Sequence, residues 1–393
     1  MERLYCGSMA EPARVLVVQP NWVGDAILAG PTLRALRQLY PSAHITYLLR
    51  RYVKQIYTGM PWFNRLITYR TSGERPRTGR GLLNLAARLR AGRFDMAVLL
   101  PNSFKMALLC KVAGIPRIVG YDRDGRGFLL TDRLLPAKEE GRYVPTPIVR
   151  YYLSLAQYLG WRQRDMRLEL FVTAGEEEEG RRVLRRAGVD QSVAEDGPRA
   201  GRRPVVLINP GAQYGDAKCW PPANFAHVAD RLIDELGATV MLSGAARERG
   251  IIDAVRGRMK RSAADLAAAG VTLGSLKSII RKCDLVITND TGARHMAAAL
   301  GTAVVTIFGP TDPRWTEINY DRERQVMVKV FCGPCQKKKC PLDHRCMTRV
   351  TASMVFDAAV ELLKAAHGNT TGTASAASAP LPEAARPASH ESV

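Results

Sequence analysis

The sequence predicts two doubly wound, Rossmann-like α/β domains that face each other across a central cleft. Three observations predict this class. The chain has 393 residues, 46% of them apolar, too many for one small core and about right for two. Short apolar runs alternate with stretches of helical spacing, the pattern of βαβ units around a parallel sheet. That alternation stops at a polar segment containing Gly and Pro, 190–203 (DQSVAEDGPRAGRR), and then begins again.

Residues 1–13 read as an N-terminal extension, and the first domain spans 14–189. Val15 to Val18 is a short apolar run ending at Pro20, as a buried parallel strand requires. Residues 26–39 carry Ile27, Leu28, Leu33, Leu36 and Leu39 at mostly helical spacing. After the turn Pro41-Ser42-Ala43, His44 to Leu49 is the next strand. Strands follow at Arg65–Tyr69, Met96–Leu100 and Arg117–Gly120, with helices near 81–91 and 103–113 between them. Residues 148–160 read as a helix. The charged run from Glu176 to Arg182 fits an exposed helix leading into the linker at 190–203.

The second domain, 204–366, repeats this grammar. Strands are predicted at Val205–Asn209, Ala238–Ser243, Asp284–Thr288 and Ala303–Phe308. Helices are predicted at 223–236, 246–258, 275–282, 293–300 and 352–366, the last of these a candidate to fold back on the first domain. From 367 to 393 the chain is rich in Ala, Ser, Thr and Pro and reads as a disordered tail.

Composition narrows the function classes. Met296 to Phe308, the longest apolar candidate, is interrupted by Gly301, Thr302 and Thr306 and is too short to span a bilayer. The N-terminus has no signal-peptide apolar core, so a cytoplasmic protein is expected. The formal charge of +20 points either to anionic partners or to a merely solvated Arg-rich surface. The basic residues are scattered, with no zinc-finger spacing and no aromatic-basic signature, which argues against nucleic acid. Cys6, Cys110, Cys219 and Cys283 are isolated and are expected to be reduced.

Four loops carry candidate chemistry. In open α/β sheets ligands bind beyond the carboxyl ends of the strands. The first such loop is Pro20-Asn21-Trp22-Val23-Gly24-Asp25. Gly24 permits close approach of a ligand, and Asp25 at the helix start is either a cap or a general base. The second runs from Asn209 through Gly211 to Lys218 and Pro221; Lys218 is either a surface lysine or a cation for a diphosphate. The third, Asn289-Asp290-Thr291-Gly292-Ala293-Arg294-His295, enters a helix of small residues, where backbone N–H groups make a phosphate site. There, too, a plain N-cap at Asp290 or Thr291 and a packed His295 remain open. The fourth contains Gly309 and follows the last strong strand.

Each loop is unspecific alone, but their order is not. VVQPNWVGDAILAGPTLRAL, NPGAQYGDAKCWP and ITNDTGARHMAAALGTAVVTIFGPT together resemble the bacterial lipopolysaccharide heptosyltransferases, most closely the heptosyltransferase II branch. The resemblance covers about residues 14–366 and leaves out the first 13 residues and the tail. It implies a GT-B fold and an inverting transfer of heptose from ADP-heptose that requires no cofactor or metal. It puts Asp25 at the catalytic base and Lys218 on the donor phosphates. Gly24, Gly211, Asp290, Thr291, Gly292, His295 and Gly309 fall on donor-binding loops, and Glu248 falls where the family has an acidic residue near the ribose. Asn21 and Trp22 would face the acceptor, a phosphorylated, heptosylated lipid A core. Such an acceptor gives the basic surface a purpose at the anionic inner membrane, with Arg117, Arg123, Arg126 and Arg142 as candidates.

Cys332, Cys335, Cys340 and Cys346, with His344 nearby, have a spacing that fits either a structural zinc site or plain thiols. Two other functions compete: a GT-B enzyme with another nucleotide sugar or acceptor, heptosyltransferase I-type included, and a non-enzymatic basic nucleotide- or nucleic-acid-binding module. Asp25 and Lys218 in separate domains favour the enzyme.

Overall fold

The computed structural model describes residues 11–69, 80–190, 193 and 202–368. The predicted extension before 11, Cys6, most of the 190–203 linker and the tail after 368 lie outside the described residues. The first half builds β1 (Arg14–Val18), α1 (Val23–Leu28), α2 (Gly30–Leu39), β2 (His44–Arg50), α3 (Lys54–Tyr57), β3 (Arg65–Tyr69), α4 (Arg80–Ala91), β4 (Met96–Leu99), α5 (Phe104–Val112), β5 (Arg117–Tyr121) and β6 (Asp132–Leu134). A small hairpin of β7 (Lys138–Glu139) and β8 (Arg142–Tyr143) precedes α6 (Ile148–Tyr158) and α7 (Ala174–Arg186). The second half builds β9 (Val205–Asn209), α8 (Pro222–Leu236), β10 (Thr239–Leu242), α9 (Arg249–Arg256), β11 (Ala264–Asp265), α10 (Leu273–Lys282), β12 (Leu285–Asn289), α11 (Gly292–Ala299), β13 (Ala303–Ile307), β14 (Glu323–Val326), α12 (Arg345–Thr348) and α13 (Ala352–Gly368).

Each half carries a six-stranded sheet of the same topology, β3-β2-β1-β4-β5-β6 and β11-β10-β9-β12-β13-β14. Neighbouring strands in both are parallel. The strand order reverses beside β1 in one sheet and beside β9 in the other. At such a switch point the loops on either side diverge and leave a crevice, here at the ends of β1 and β4 and of β9 and β12. The central strands are buried on both faces, which is why β1, β4, β9 and β12 read as near-continuous apolar runs, broken only at Arg14, Asn209, Thr288 and Asn289. One apolar cluster runs from Val15, Ile27 and Leu28 through Leu155 to Leu276, Ile279 and Met296, so the halves share a core.

The architecture is the one the sequence predicts, and four details differ. Residues 26–39 are not one helix: Ala29 is the C-cap of α1, and α2 starts at Gly30 with Pro31 in its first turn, where the missing N–H does no harm. The helix before the 190–203 segment, α7, is not merely exposed but packs on α10 of the second half. A Cβ at Gly180 would lie 2.5 Å from Ser278 Oγ, and Ser278 donates to Glu177 at 3.0 Å. Thr173, which still packs on Gly59 of the first half, caps α7 in a capping box with Glu176. The last helix, α13, packs on α8 and the β13–β14 edge instead of returning to the first domain: Val355, Phe356, Ala359, Leu362 and Leu363 join the second-half core. The edge strands β6, β11 and β14 are too short or too polar to show a strand period.

Candidate active site

The loop from β9 to α8 is pinned by the end of β12. Asn289 Oδ1 accepts from the Trp220 backbone N–H at 3.2 Å, its Nδ2 donates to the Pro210 carbonyl at 2.8 Å, and Thr288 Oγ1 donates to the Asn209 carbonyl at 3.1 Å. Trp220, fully buried, donates its indole N–H to Val350 at 2.9 Å. This anchoring holds Lys218 over the start of α11. Its ammonium donates to Asp290 Oδ2 at 2.6 Å and to the Asp290 carbonyl at 3.1 Å. Thr311 Oγ1 donates to the same carboxylate oxygen at 2.9 Å, and Arg294 lies 3.6 Å from the other. Burial pushes the Asp290 carboxyl up, but Lys218 and Arg294 outweigh it and hold the group below the ordinary carboxylate range.

The first half meets this cluster through α1. A Cβ at Gly24 would lie 3.0 Å from the ring of His295, and one at Gly292 would lie 2.8 Å from Val23. Only two glycines let the backbones come this close. Burial, aided by Arg294, pushes the His295 imidazole down to about 3, so it is neutral at physiological pH. Its Nδ1 has no partner among the described residues. Asp25, one residue on, is half-buried. Burial lifts its pKa to about 6, Lys218 limits the rise and Asp290 adds to it. The carboxylate of one half and the ion pair of the other therefore lie within each other's field.

Three cavities meet here. One, of about 370 Å³, is lined by Val23 and Tyr52 from the first half and by Gly211, Gln213, Ser243, Arg247, Glu248, Thr291 and Gly292 from the second. Glu248 crosses over Gly211, where a Cβ would lie 2.4 Å from its Cδ, and accepts from the Ala245 N–H at 2.8 Å. Among the described residues no side chain caps α11: Thr291 Oγ1 donates to Thr288 Oγ1 at 3.0 Å, and the first residues of the helix, Gly292 and Ala293, line the cavity with N–H groups that no side chain takes up. A second cavity, of about 290 Å³, holds Asp25 with Asn21, Trp22, Asn102, Arg123, Tyr151 and Trp315. A third, of about 540 Å³, is lined by Asn21, Trp22, Arg50, Arg51, Tyr52, Tyr69, Gln213 and Arg247. A larger cavity, about 760 Å³, lies away from these loops among Arg186, Asp190, Arg256 and Asp265.

The glycosyltransferase family 9 (heptosyltransferase) profile matches residues 82–345, more than half of the chain. The chain is 31% identical over 322 residues to lipopolysaccharide heptosyltransferase 2 of Escherichia coli K12, covering 77% of this chain and 84% of that one. It belongs to glycosyltransferase family 9. Against lipooligosaccharide heptosyltransferase 2 of Haemophilus influenzae it is 28% identical over 365 residues, covering 89% of this chain and 99% of the relative. Among solved structures, E. coli ADP-heptose lps heptosyltransferase II superposes with a TM-score of 0.72 at 27% identity, over 90% of this chain and 99% of that one. The fold is thus the two-domain GT-B arrangement of these enzymes.

In this family 9 enzyme the structure gathers Gly24, Asp25, Lys218, Asp290, Thr291, Gly292 and His295 at one junction, with Gly211 and Glu248 around the adjoining cavity and Asn21 and Trp22 on the side of Asp25. Gly309 does not reach any of the three cavities. It packs on the Cys-rich segment, where a Cβ would lie 2.1 Å from Met347 Sδ. Two of the candidate cations are engaged elsewhere. Arg126 is fully buried and donates to the carbonyls of Tyr121 and Pro101 and to Asn102. Arg117, at the amino end of β5, forks onto Asp132. Arg123 does line the Asp25 cavity, with its guanidinium 4.0 Å from the Tyr143 ring centroid, while Arg142 is exposed on the β7–β8 hairpin.

The four cysteines lie within one another's field, Cys332, Cys335 and Cys340 all acting on Cys346. Among the described residues no three His, Cys, Asp or Glu side chains gather as metal ligands. Cys346 is buried against Gly309, while the Cys340 sulfur accepts from the Leu342 N–H at 3.4 Å. No helix among the described residues is long and apolar enough to cross a membrane. Sequence reasoning missed Tyr52, Gln213, Arg247, Asn102, Tyr151 and Trp315. Tyr52 was within reach, because it follows a strand's carboxyl end. Tyr151 lies inside a helix and had no local signal.

Proposed function

We propose that this enzyme transfers L-glycero-D-manno-heptose from ADP-heptose to the heptosylated inner core of lipopolysaccharide, with inversion and with Asp25 as general base. One observation carries the reading: Asp25 lies in the field of Lys218 and Asp290 while lining a cavity of its own, separate from the one around Glu248 and α11. The donor occupies the larger of these two, its diphosphate toward Lys218 and the α11 N–H groups, its ribose toward Glu248. The acceptor enters beside Asn21 and Trp22. As the acceptor oxygen attacks the anomeric carbon, its proton passes to Asp25 and the bond to the ADP oxygen breaks. Negative charge then grows on ADP, where Lys218 and the start of α11 oppose it. A carboxylate near pKa 6 is ionised at neutral pH yet more basic than an ordinary one.

Catalysis calls for Lys218 to keep its ammonium between the Asp290 carboxylate and the incoming phosphates, so the pair positions the cation before the donor arrives. The acceptor is lipid-anchored, so the enzyme works at the inner membrane's cytoplasmic face, and its net charge of +20 suits that surface. The test is heptose transfer from ADP-heptose to a mono-heptosylated core acceptor and to one bearing no heptose. Transfer to the first alone is expected. Asp25→Asn should lower kcat by about a thousandfold or more while ADP still binds. Near-normal turnover in that variant removes Asp25 as the base, and preference for the heptose-free acceptor reassigns the enzyme to the first heptose.

A further inference from the structure

The third cavity, about 540 Å³, shares Tyr52, Gln213 and Arg247 with the donor cavity and Asn21 and Trp22 with the Asp25 cavity. Three guanidinium groups stand on its walls. Arg50 ends β2, Arg51 begins the turn that follows, and Arg247 comes from the second half. Among the described residues no aspartate or glutamate lines it. Elsewhere arginines sit on carboxylates: Arg34 on Glu169, Arg117 on Asp132, Arg294 on Glu323.

The Arg50 guanidinium is also built in. Its Nε is shut off from solvent and meets no acceptor among the described residues. A buried donor in that state is costly until an oxygen arrives. The charge of Arg50 also acts on the Tyr69 phenol, whose hydroxyl donates to Asn21 Oδ1 at 3.1 Å, so the cation sits beside the loop that carries Asp25. The charges of Arg50, Arg247 and Asp25 all act on Tyr52, which places the three around one side chain.

We propose that this cavity is an anion subsite for the acceptor, in which Arg50, Arg51 and Arg247 take a phosphate or carboxylate carried on the glycan beside the reacting hydroxyl. The inference rests on the acceptor side of the proposed function. Lys218, paired with Asp290, is the cation of the proposed donor site, whereas Arg50 and Arg51 line this cavity and not the donor cavity, and Arg247 stands where the two cavities adjoin. Guanidinium forks suit phosphate and carboxylate oxygens alike. Because Arg247 belongs to the second half, a bound anion also ties the halves together.

The test uses Arg50→Gln/Arg51→Gln, since neither residue lines the donor cavity. Acceptor KM is measured on heptosylated core that is intact, phosphatase-treated or carboxyl-reduced. The variant should raise KM for the intact acceptor about tenfold or more while KM for ADP-heptose moves less than about twofold. Removing the recognised group from the acceptor should cost the wild type the same factor, and the two losses should not add. The phosphatase and reduction arms tell phosphate from carboxylate. An acceptor KM unmoved by the variant, or fully additive losses, overturns the proposal. If the wild type transfers no heptose, the proposed function fails, and inorganic phosphate titrated into ADP-saturated protein then decides the subsite. Phosphate binding about tenfold weaker in the variant supports it, and equal binding overturns it.

Discussion

Burial lifts Asp25 to a pKa of about 6, with Lys218 holding the rise in check. Two outcomes follow at the residue scale. The base must be ionised, so kcat/KM should fall as pH drops through about 6, and a pH–rate profile checks this. The folded pKa stands above the ordinary 3.8, so the group's contribution to stability is complete below 3.8 and lost as pH rises through about 6. An ionised, half-buried Asp25 then costs about 1–2 kcal/mol at neutral pH, after discounting for its exposure. Asp25→Asn should be more stable than wild type at neutral pH and equal to it near pH 4, as thermal melts at the two pH values would read. Equal melting at both contradicts the burial argument. His295 has the opposite sign: its stabilising contribution is present above 6.5 and lost as pH falls through about 3.

At the scale of elements, the loop bearing Lys218 is braced by the Cys-rich segment. The Ala217 N–H donates to the Lys338 carbonyl at 3.2 Å, Tyr214 donates its hydroxyl to the Gln336 carbonyl at 2.7 Å, and the Gln336 N–H donates to Pro310 at 2.8 Å. A Cβ at Gly215 would lie 2.3 Å from the Lys338 carbonyl oxygen, which is backbone and cannot swing aside. Gly215→Ala should therefore part strap and loop, destabilising the fold by about 1–3 kcal/mol and weakening ADP binding. Denaturant melts and calorimetry check both, and a variant that binds ADP as wild type does would separate the strap from the site. The sequence made the loop legible through its Gly, Pro and Lys, but not the strap, whose partners lie more than a hundred residues away.

At the scale of the whole molecule, the halves close through two glycines. Gly24 backs onto His295 and Gly292 onto Val23, with a continuous apolar core beside them. Gly292→Val should wedge the halves apart. Small-angle scattering should show a larger radius of gyration, and turnover should fall about a hundredfold, because misplacing a base from its substrate by an ångström has that effect. An unchanged radius with normal turnover would mean the contact is incidental.

Periodicity and turn chemistry by themselves determined the two parallel sheets and the loops that leave their carboxyl ends, because buried parallel strands and βα turns leave local marks in the chain. The same marks put Asp25, Lys218 and Asp290 on such loops with a plain cap or surface role still open, and the order of the motifs, through the family resemblance, is what gave them roles. Only the tertiary structure decided that Arg126 is spent on backbone carbonyls, that α7 belongs with α10, that Gly309 serves packing, and that Arg50, Arg51 and Arg247 share a wall. Those outcomes depend on which residues distant in sequence become neighbours, and no local spacing records that.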